Sequence, residues 1–178
     1  EEGAKHGELF VAEYQSAGRG RFTRRWSAPP DSAITMSILI CPEFSPMKAP
    51  MLTLVMGLSV AQAVADLGLD VGIKWPNDVV VSRKKICGIL TEMTMKQDKI
   101  GCAVIGVGIN VNMDSFPEEM ADKATSLYLE SGHVFDRAEV VGLVMKHFEE
   151  NYERFVQTED LSGMKTDYEK LLANLNQP

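Results

Sequence analysis

Residues 51–67, MLTLVMGLSVAQAVADL, fit a helix but give it no polar side. A helix that is apolar on almost every face is stable only when it is covered on most sides. Gly68 follows, the residue that best tolerates the left-handed turn at a helix end. The cover must come from the flanking chain, which is rich in strand-like segments. Residues 9–14 and 33–40 precede the helix, and residues 71–75, 79–82, 85–95 and 100–111 follow it. The last two surround Lys96-Gln97-Asp98-Lys99 and read as a hairpin. Residues 42–50 carry three prolines and read as a loop. Later the period changes. Asp136 and Glu139 have the spacing of a capping box. Val140, Leu143, Val144, His147, Phe148, Tyr152 and Phe155 then recur at helical steps, and residues 161–172 give a last helix on the same periodicity. Strands gather early, helices late, and one buried helix sits between them. The expected fold class is α+β, a mixed, mainly antiparallel sheet with helices packed on one face, in a single domain covering residues 1–178.

The chain has 178 residues, 45% of them hydrophobic, and a net charge of -7 from 18 basic and 25 acidic side chains. That balance suits a soluble globular protein, and the acidic excess argues against a general nucleic-acid binder. Residues 1–5 are charged and carry no apolar core, so no signal peptide is read there. The longest apolar run, residues 55–69, is broken by Asp66 and reads as no membrane span. Cys41, Cys87 and Cys102 are odd in number, widely spaced and set in apolar stretches. They are expected to be buried reduced thiols of a cytoplasmic protein, without a disulfide framework. His147 sits on the apolar helix stripe and reads as a core or semi-buried histidine.

Within this acidic chain, Arg19, Arg21, Arg24 and Arg25 crowd into Gly18-Arg19-Gly20-Arg21-Phe22-Thr23-Arg24-Arg25-Trp26, and residues 14–30 contain no acidic side chain. Guanidinium groups offer a planar fork of donors to carboxylate and phosphate. Glycines let the backbone approach a ligand closely. The segment reads as an anion-gripping loop, with Trp26 able to stack on a flat ring or close the loop as a lid. A solvated basic loop would use the same residue types.

Three further segments can carry chemistry. Lys74-Trp75-Pro76-Asn77-Asp78 is a turn that could set Asn77 and Asp78 on a metal-bound phosphate, or Asp78 to take a proton from an amine; a structural aspartate in a hairpin turn fits equally. Lys85-Ile86-Cys87-Gly88-Ile89-Leu90-Thr91-Glu92 starts an apolar strand with a lysine and places Gly88 inside it, where a ligand or another backbone can come close. Lys85 could neutralise two anions that must meet, or simply be an exposed strand-end lysine. Gly106-Val107-Gly108-Ile109-Asn110-Val111 lacks the third glycine and following helix of a dinucleotide fingerprint. Asn110 could read a purine edge, or end a strand. No Cys/His spacing makes a metal cage.

In order and spacing, Gln15-Ser16-Ala17-Gly18-Arg19-Gly20-Arg21 with Trp26, Lys74-Trp75-Pro76-Asn77-Asp78, the Lys85–Glu92 segment and the Gly106–Val111 segment closely resemble the bacterial biotin protein ligases, the biotin–[acetyl-CoA-carboxylase] ligases. The resemblance covers nearly the whole chain. It implies the class II synthetase-like catalytic fold of biotin and lipoate ligases. It also implies an AMP-forming reaction: biotin and ATP, with Mg2+, give biotinyl-5′-AMP, which a lysine of biotin carboxyl carrier protein then attacks. By the same resemblance Lys85, Arg19 and Asp78 are the catalytic candidates. Gln15, Gly18, Arg19, Gly20, Arg21, Lys85 and Gly88 are candidates for binding biotin, and Arg19, Arg21, Arg24, Trp26, Asn77 and Asn110 for binding the nucleotide. Asn77 and Asp78 are the weak metal candidates, acting through phosphate. Family members begin with a strand and helix carrying a Ser-Thr-Asn loop, and end with a small β-barrel domain. Against that pattern the chain is expected to start in the tail of that helix (residues 1–7) and stop where the barrel would begin. Homodimers occur among such ligases.

A lipoate or octanoate ligase of similar fold is the nearest rival; the arginine loop and the Trp-Pro-Asn-Asp turn favour biotin. A nucleic-acid module using the arginine loop is the rival from another class, disfavoured by the charge of -7.

Overall fold

The computed structural model describes residues 3–22 and 24–173. Six strands form one sheet in the order β1-β2-β6-β5-β4-β3, and each neighbouring pair is antiparallel. The strands are β1 (Leu9–Ala12), β2 (Ala33–Ile40), β3 (Val71–Lys74), β4 (Asp78–Val81), β5 (Lys84–Lys96) and β6 (Lys99–Asn110). The helices are α1 (Met51–Asp66), α2 (Leu127–Ser131), α3 (Arg137–Thr158) and α4 (Lys165–Leu171).

Register separates the two faces of the sheet. Ile34, Ile109, Cys87 and Val79 lie opposite one another across four strands, as do Met36, Val107 and Ile89. All are buried, and they face α1. A Cβ on Gly57 of α1 would sit 3.7 Å from the Ile89 side chain, so helix and sheet are in contact there. Helix α3 covers α1 in turn, burying Val140, Val144, Phe148 and Phe155. The helix that sequence requires to be covered is therefore sandwiched between sheet and α3. Together with the turn before it, α1 is long and apolar enough to cross a membrane by composition, but most of its surface is inside the fold.

Several expectations need correction. Cys41 and Cys102 are joined in a disulfide, and Cys87 alone stays a free, buried thiol. The reason is register: Ile40 pairs with Ala103, so the next residues along, Cys41 and Cys102, face each other with their Cα atoms 4.1 Å apart. Residues 3–7, expected as a helix tail, are bends and turns, with Gly3 and Gly7 at positive φ. Helix α2 was not anticipated. The last helix divides into a short 3-10 turn, Ser162–Met164, and α4. Asn151 lies among the apolar residues of the α3 stripe, and its amide donates to Ser59 and Gln62 of α1.

Candidate active site

The other face of the sheet carries one row that crosses all six strands: Ala12, Thr35, Gly108, Gly88, Asp78 and Lys74 are successive partners. Two central members are glycines, and Gly106 stands opposite Leu90 two residues farther along β6. The result is a trough in the sheet surface, closed at one side by Thr35 and at the other by Asp78.

A bulge sets the lysine at its edge. Val79 pairs with Cys87, but Val80 pairs with Lys85, skipping Ile86. Ile86 and Cys87 can then both enter the core, and the bulged strand turns Lys85 to the open face. Lys85 Nζ lies 2.7 Å from Asp78 Oδ1, an oxygen with no further partner among the described residues. The same ammonium is 2.9 Å from where a Cβ on Gly88 would be, so glycine is what makes room for it. The Lys85 backbone is fixed from outside the sheet: its N–H donates to Lys123 O, and its carbonyl accepts from Thr125 N–H. Burial pushes the neighbouring Cys87 thiol far up from its ordinary pKa, which keeps it protonated and unreactive.

Asn77 is held just as firmly. Its carbonyl accepts from Ile89 N–H and its side-chain amide donates to Ile89 O, so it is stapled to the edge of β5. The Trp75–Pro76 bond before it is cis. Its free amide oxygen accepts from Arg21 Nη1 at 3.0 Å.

The arginine loop closes on itself. Gly20 N–H donates to Arg24 O, Trp26 N–H donates to Gly18 O, and Arg19 pairs with Arg25 as an isolated bridge. A Cβ on Gly18 would fall 2.5 Å from Trp26 O and 2.8 Å from the Gln15 amide oxygen. Here glycine is required by contact. The Trp26 ring packs directly on Gly108, where a Cβ would be 2.5 Å from its nearest atoms. Its Nε1 is buried without a hydrogen-bond partner among the described residues. Between loop and sheet is a cavity of about 630 Å³, floored by Leu90 and Glu92. Arg21 also borders a second hollow of about 330 Å³, beside Trp75, Pro76 and Asn77.

Lys85, Asp78, Gly88, Asn77 and Arg21 thus converge at one corner, and Trp26 borders the same trough at Gly108, whereas Gln15 is exposed beside Gly18. Arg19 does not join them: its side chain is 72% exposed and its guanidinium is paired with Glu92 at 2.7 Å. Arg24 is exposed at the loop tip. Asn110 is buried at the far side, its amide donating to Thr125 O. Sequence reasoning assigned nothing to Gly108, Thr35 or Glu92. Gly108 could have been found from the spacing of Gly106 and Gly108 on alternate positions of a strand, which puts both on one face.

Two anions brought to this corner would meet the Lys85 ammonium, which Asp78 now pairs, and the Arg21 guanidinium, which Asn77 now accepts from. The biotin/lipoate A/B protein ligase family model matches residues 1–110. The chain belongs to that family.

Among its relatives, the bifunctional ligase/repressor BirA of Bacillus spizizenii is 42% identical over 86% of this chain and 48% of its own length. The biotin–[acetyl-CoA-carboxylase] ligase of Mycobacterium tuberculosis is 39% identical over 68% of this chain and 45% of its own. The chain therefore spans about half the length of these curated relatives. The biotin protein ligase of Aquifex aeolicus, solved in complex with biotin and ATP, superposes with a TM-score of 0.83 at 36% identity, over 97% of this chain and 71% of that one. In this member of the biotin/lipoate ligase family the arginine loop, the Trp-Pro-Asn-Asp turn and the lysine strand border one trough. Glycines 88, 106 and 108 form its floor.

Proposed function

We propose that this chain is the catalytic domain of a biotin protein ligase. In the first step the carboxylate of biotin attacks the α-phosphorus of ATP, pyrophosphate leaves, and biotinyl-5′-AMP forms. In the second, an acceptor lysine of biotin carboxyl carrier protein attacks the mixed anhydride and AMP leaves. The observation that carries the reading is the corner where Lys85 Nζ, 2.7 Å from Asp78, overhangs Gly88 beside the Arg21–Asn77 pair. Both substrates are anions, and their meeting requires fixed positive charge aimed at the reacting atoms. Positioning does most of the rest.

In this reading Lys85 holds the biotin carboxylate against the α-phosphate, and Arg21, already facing the corner from the loop, shares the phosphate charge. Arg19 reaches the ligand only by leaving Glu92. Gln15, Gly18, Gly20 and Gly88 border biotin; Trp26, Arg24, Asn77 and Asn110 border the nucleotide. Asp78, released by Lys85 when the anions arrive, accepts the proton of the attacking amine. Mg2+ enters as the companion of ATP. The described residues include no cluster of three or more His, Cys, Asp or Glu suited to a metal. Asp78 is a lone carboxylate, which fits an ion held mainly by phosphate oxygens. The use of ATP assigns the reaction to the cytoplasm; the Cys41–Cys102 bridge is the feature that fits that compartment least.

The test is biotin-dependent exchange of pyrophosphate into ATP, run against lipoate and octanoate as competitors, with titration by a non-hydrolysable biotinyl-adenylate analogue. Exchange driven by biotin, with the analogue binding far more tightly than biotin, is the expected result. Exchange driven by lipoate instead would transfer the reading to the other branch of the family.

A further inference from the structure

The arginine loop leaves the sheet after Ala12 and returns at Ala33. Both feet meet one side chain. Arg137, the first residue of α3, donates from Nη1 to Glu13 Oε2 at 2.7 Å and to Ala33 O at 3.2 Å, and from Nη2 to Asp31 Oδ1 at 3.4 Å. Glu13 is the first residue of the outgoing foot, and Asp31 stands two residues before the strand that receives the returning one. Asp31 holds a left-handed conformation, φ 61°, so the returning foot makes a sharp turn where it is gripped.

The platform beneath this grip is rigid. Asp136 caps α3 by accepting from Ala138 N–H, and the first buried turn of the helix, at Val140, follows directly. The Arg137 side chain is 25% exposed, against 66% for Glu13 and 78% for Asp31. The guanidinium is the fixed partner and the two carboxylates are the held ones. Its hydrogen bond keeps the Glu13 carboxyl below the ordinary glutamate range.

Two further side-chain tethers of the loop are Arg21 to Asn77 and Arg19 to Glu92. Both use guanidinium groups that an anionic ligand would claim. The Arg137 grip uses none, so it persists when the others are exchanged for ligand. Holding both ends of a flexible segment reduces the conformations it must give up on binding. We propose that Arg137 is a positioning residue for the ligand site: it clamps both feet of the arginine loop through Glu13, Asp31 and Ala33 O, and never touches the ligand. The inference rests on the ligase reading for its kinetic consequence, but the clamp itself does not.

The test uses Arg137→Ala, Arg137→Lys and Glu13→Gln. Lysine keeps the charge but gathers its donors on one nitrogen, which cannot span acceptors that Arg137 reaches with two. Glu13 is exposed, so its variant keeps the core intact. Trypsin is the first probe, because the loop offers cleavage after Arg19, Arg21, Arg24 and Arg25, and peptide masses identify each cut. Well below the unfolding temperature, loop cleavage should quicken about tenfold in Arg137→Ala and by a smaller factor in the other two. In the exchange assay KM for biotin or ATP should rise about tenfold while kcat changes little. Unchanged loop cleavage in all three variants would overturn the clamp. So would a fall in kcat and in melting temperature with KM unchanged, the pattern of a residue that only supports the fold. If the wild-type chain binds no biotinyl-adenylate analogue, the ligase reading fails, and the cleavage rates still decide whether Arg137 holds the loop.

Discussion

The two halves of the site are built by different means. The β4–β5 corner is held by backbone: Lys85 is bonded at both N–H and carbonyl to residues 123 and 125, and Asn77 is stapled to Ile89. The arginine loop is held by its own turns, by the seat of Trp26 on Gly108, and by side-chain ion pairs. An exposed pair such as Arg19–Glu92 contributes at most about 1 kcal/mol, little enough for a ligand to displace. The backbone of the corner is therefore fixed from several sides, whereas the loop is tethered in part by side-chain contacts that a ligand could displace. In the proposed reaction Lys85 would act from the firmly held half, and Arg19 and Arg21 from the displaceable one.

The sharpest way to break this comparison is Lys85→Ala. Lys85 is a strand-end side chain that contributes little core, so the melting temperature should hold while adenylate formation falls by about 10³-fold or more. Near wild-type exchange in that variant would remove the lysine from the chemistry. Next is Asp78→Asn, expected to slow transfer to the carrier lysine about 10²-fold and adenylate formation much less. Single-turnover rates of the two steps separate them, and equal losses would reassign Asp78 to the Mg2+–phosphate end of the reaction. Gly108→Ala acts on the loop half. The new methyl would lie 2.5 Å from the Trp26 ring, which must leave its seat. Analogue binding should weaken about tenfold with the melting temperature nearly unchanged. A large drop in stability would mean that Trp26 belongs to the core and not to the loop.

The smallest effect is a control remote from both halves. The Tyr168 hydroxyl is buried without a hydrogen-bond partner among the described residues, and burial pushes its pKa up to about 12. The folded state thus favours the protonated phenol. That contribution is complete below the ordinary tyrosine pKa near 10, and is lost as pH rises through about 12. Tyr168→Phe should be neutral or stabilising by about 1 kcal/mol. Its urea midpoint should also fall less steeply than that of the wild type between those two pH values, with activity unaltered.

Much of this was legible in the sequence, because period and punctuation act locally. Residues 33–40 were read as a strand with the bounds the structure gives to β2, and Gly68 ends α1 at φ 85°. Asp136 caps α3 as its spacing implied. What stayed hidden depends on pairing between distant segments. Cys41 and Cys102 are 61 residues apart and meet only because β2 and β6 are neighbours in one register. Helix α2 is five residues long, too short for periodicity to speak, and its signal was Ser126, whose hydroxyl accepts from Leu129 N–H. In the site, Lys85, Asp78, Asn77, Gly88 and the loop were visible as motifs. The bulge that turns Lys85 outward, the pairing of Arg19 with Glu92 and the reach of Arg137 were not, since each requires knowing which strand lies beside which.

The chain has two tryptophans, and neither is in the core. Trp26 lies on Gly108 at the floor of the trough, and Trp75, 60% exposed, stands at the turn before Asn77. Both tryptophans therefore stand at the candidate site. The molecule's intrinsic emission will report the seating of the loop and the covering of the turn, rather than the state of the hydrophobic interior. A shift in that emission on adding biotin or ATP, with the fold unchanged by circular dichroism, would be an optical readout of the loop closing.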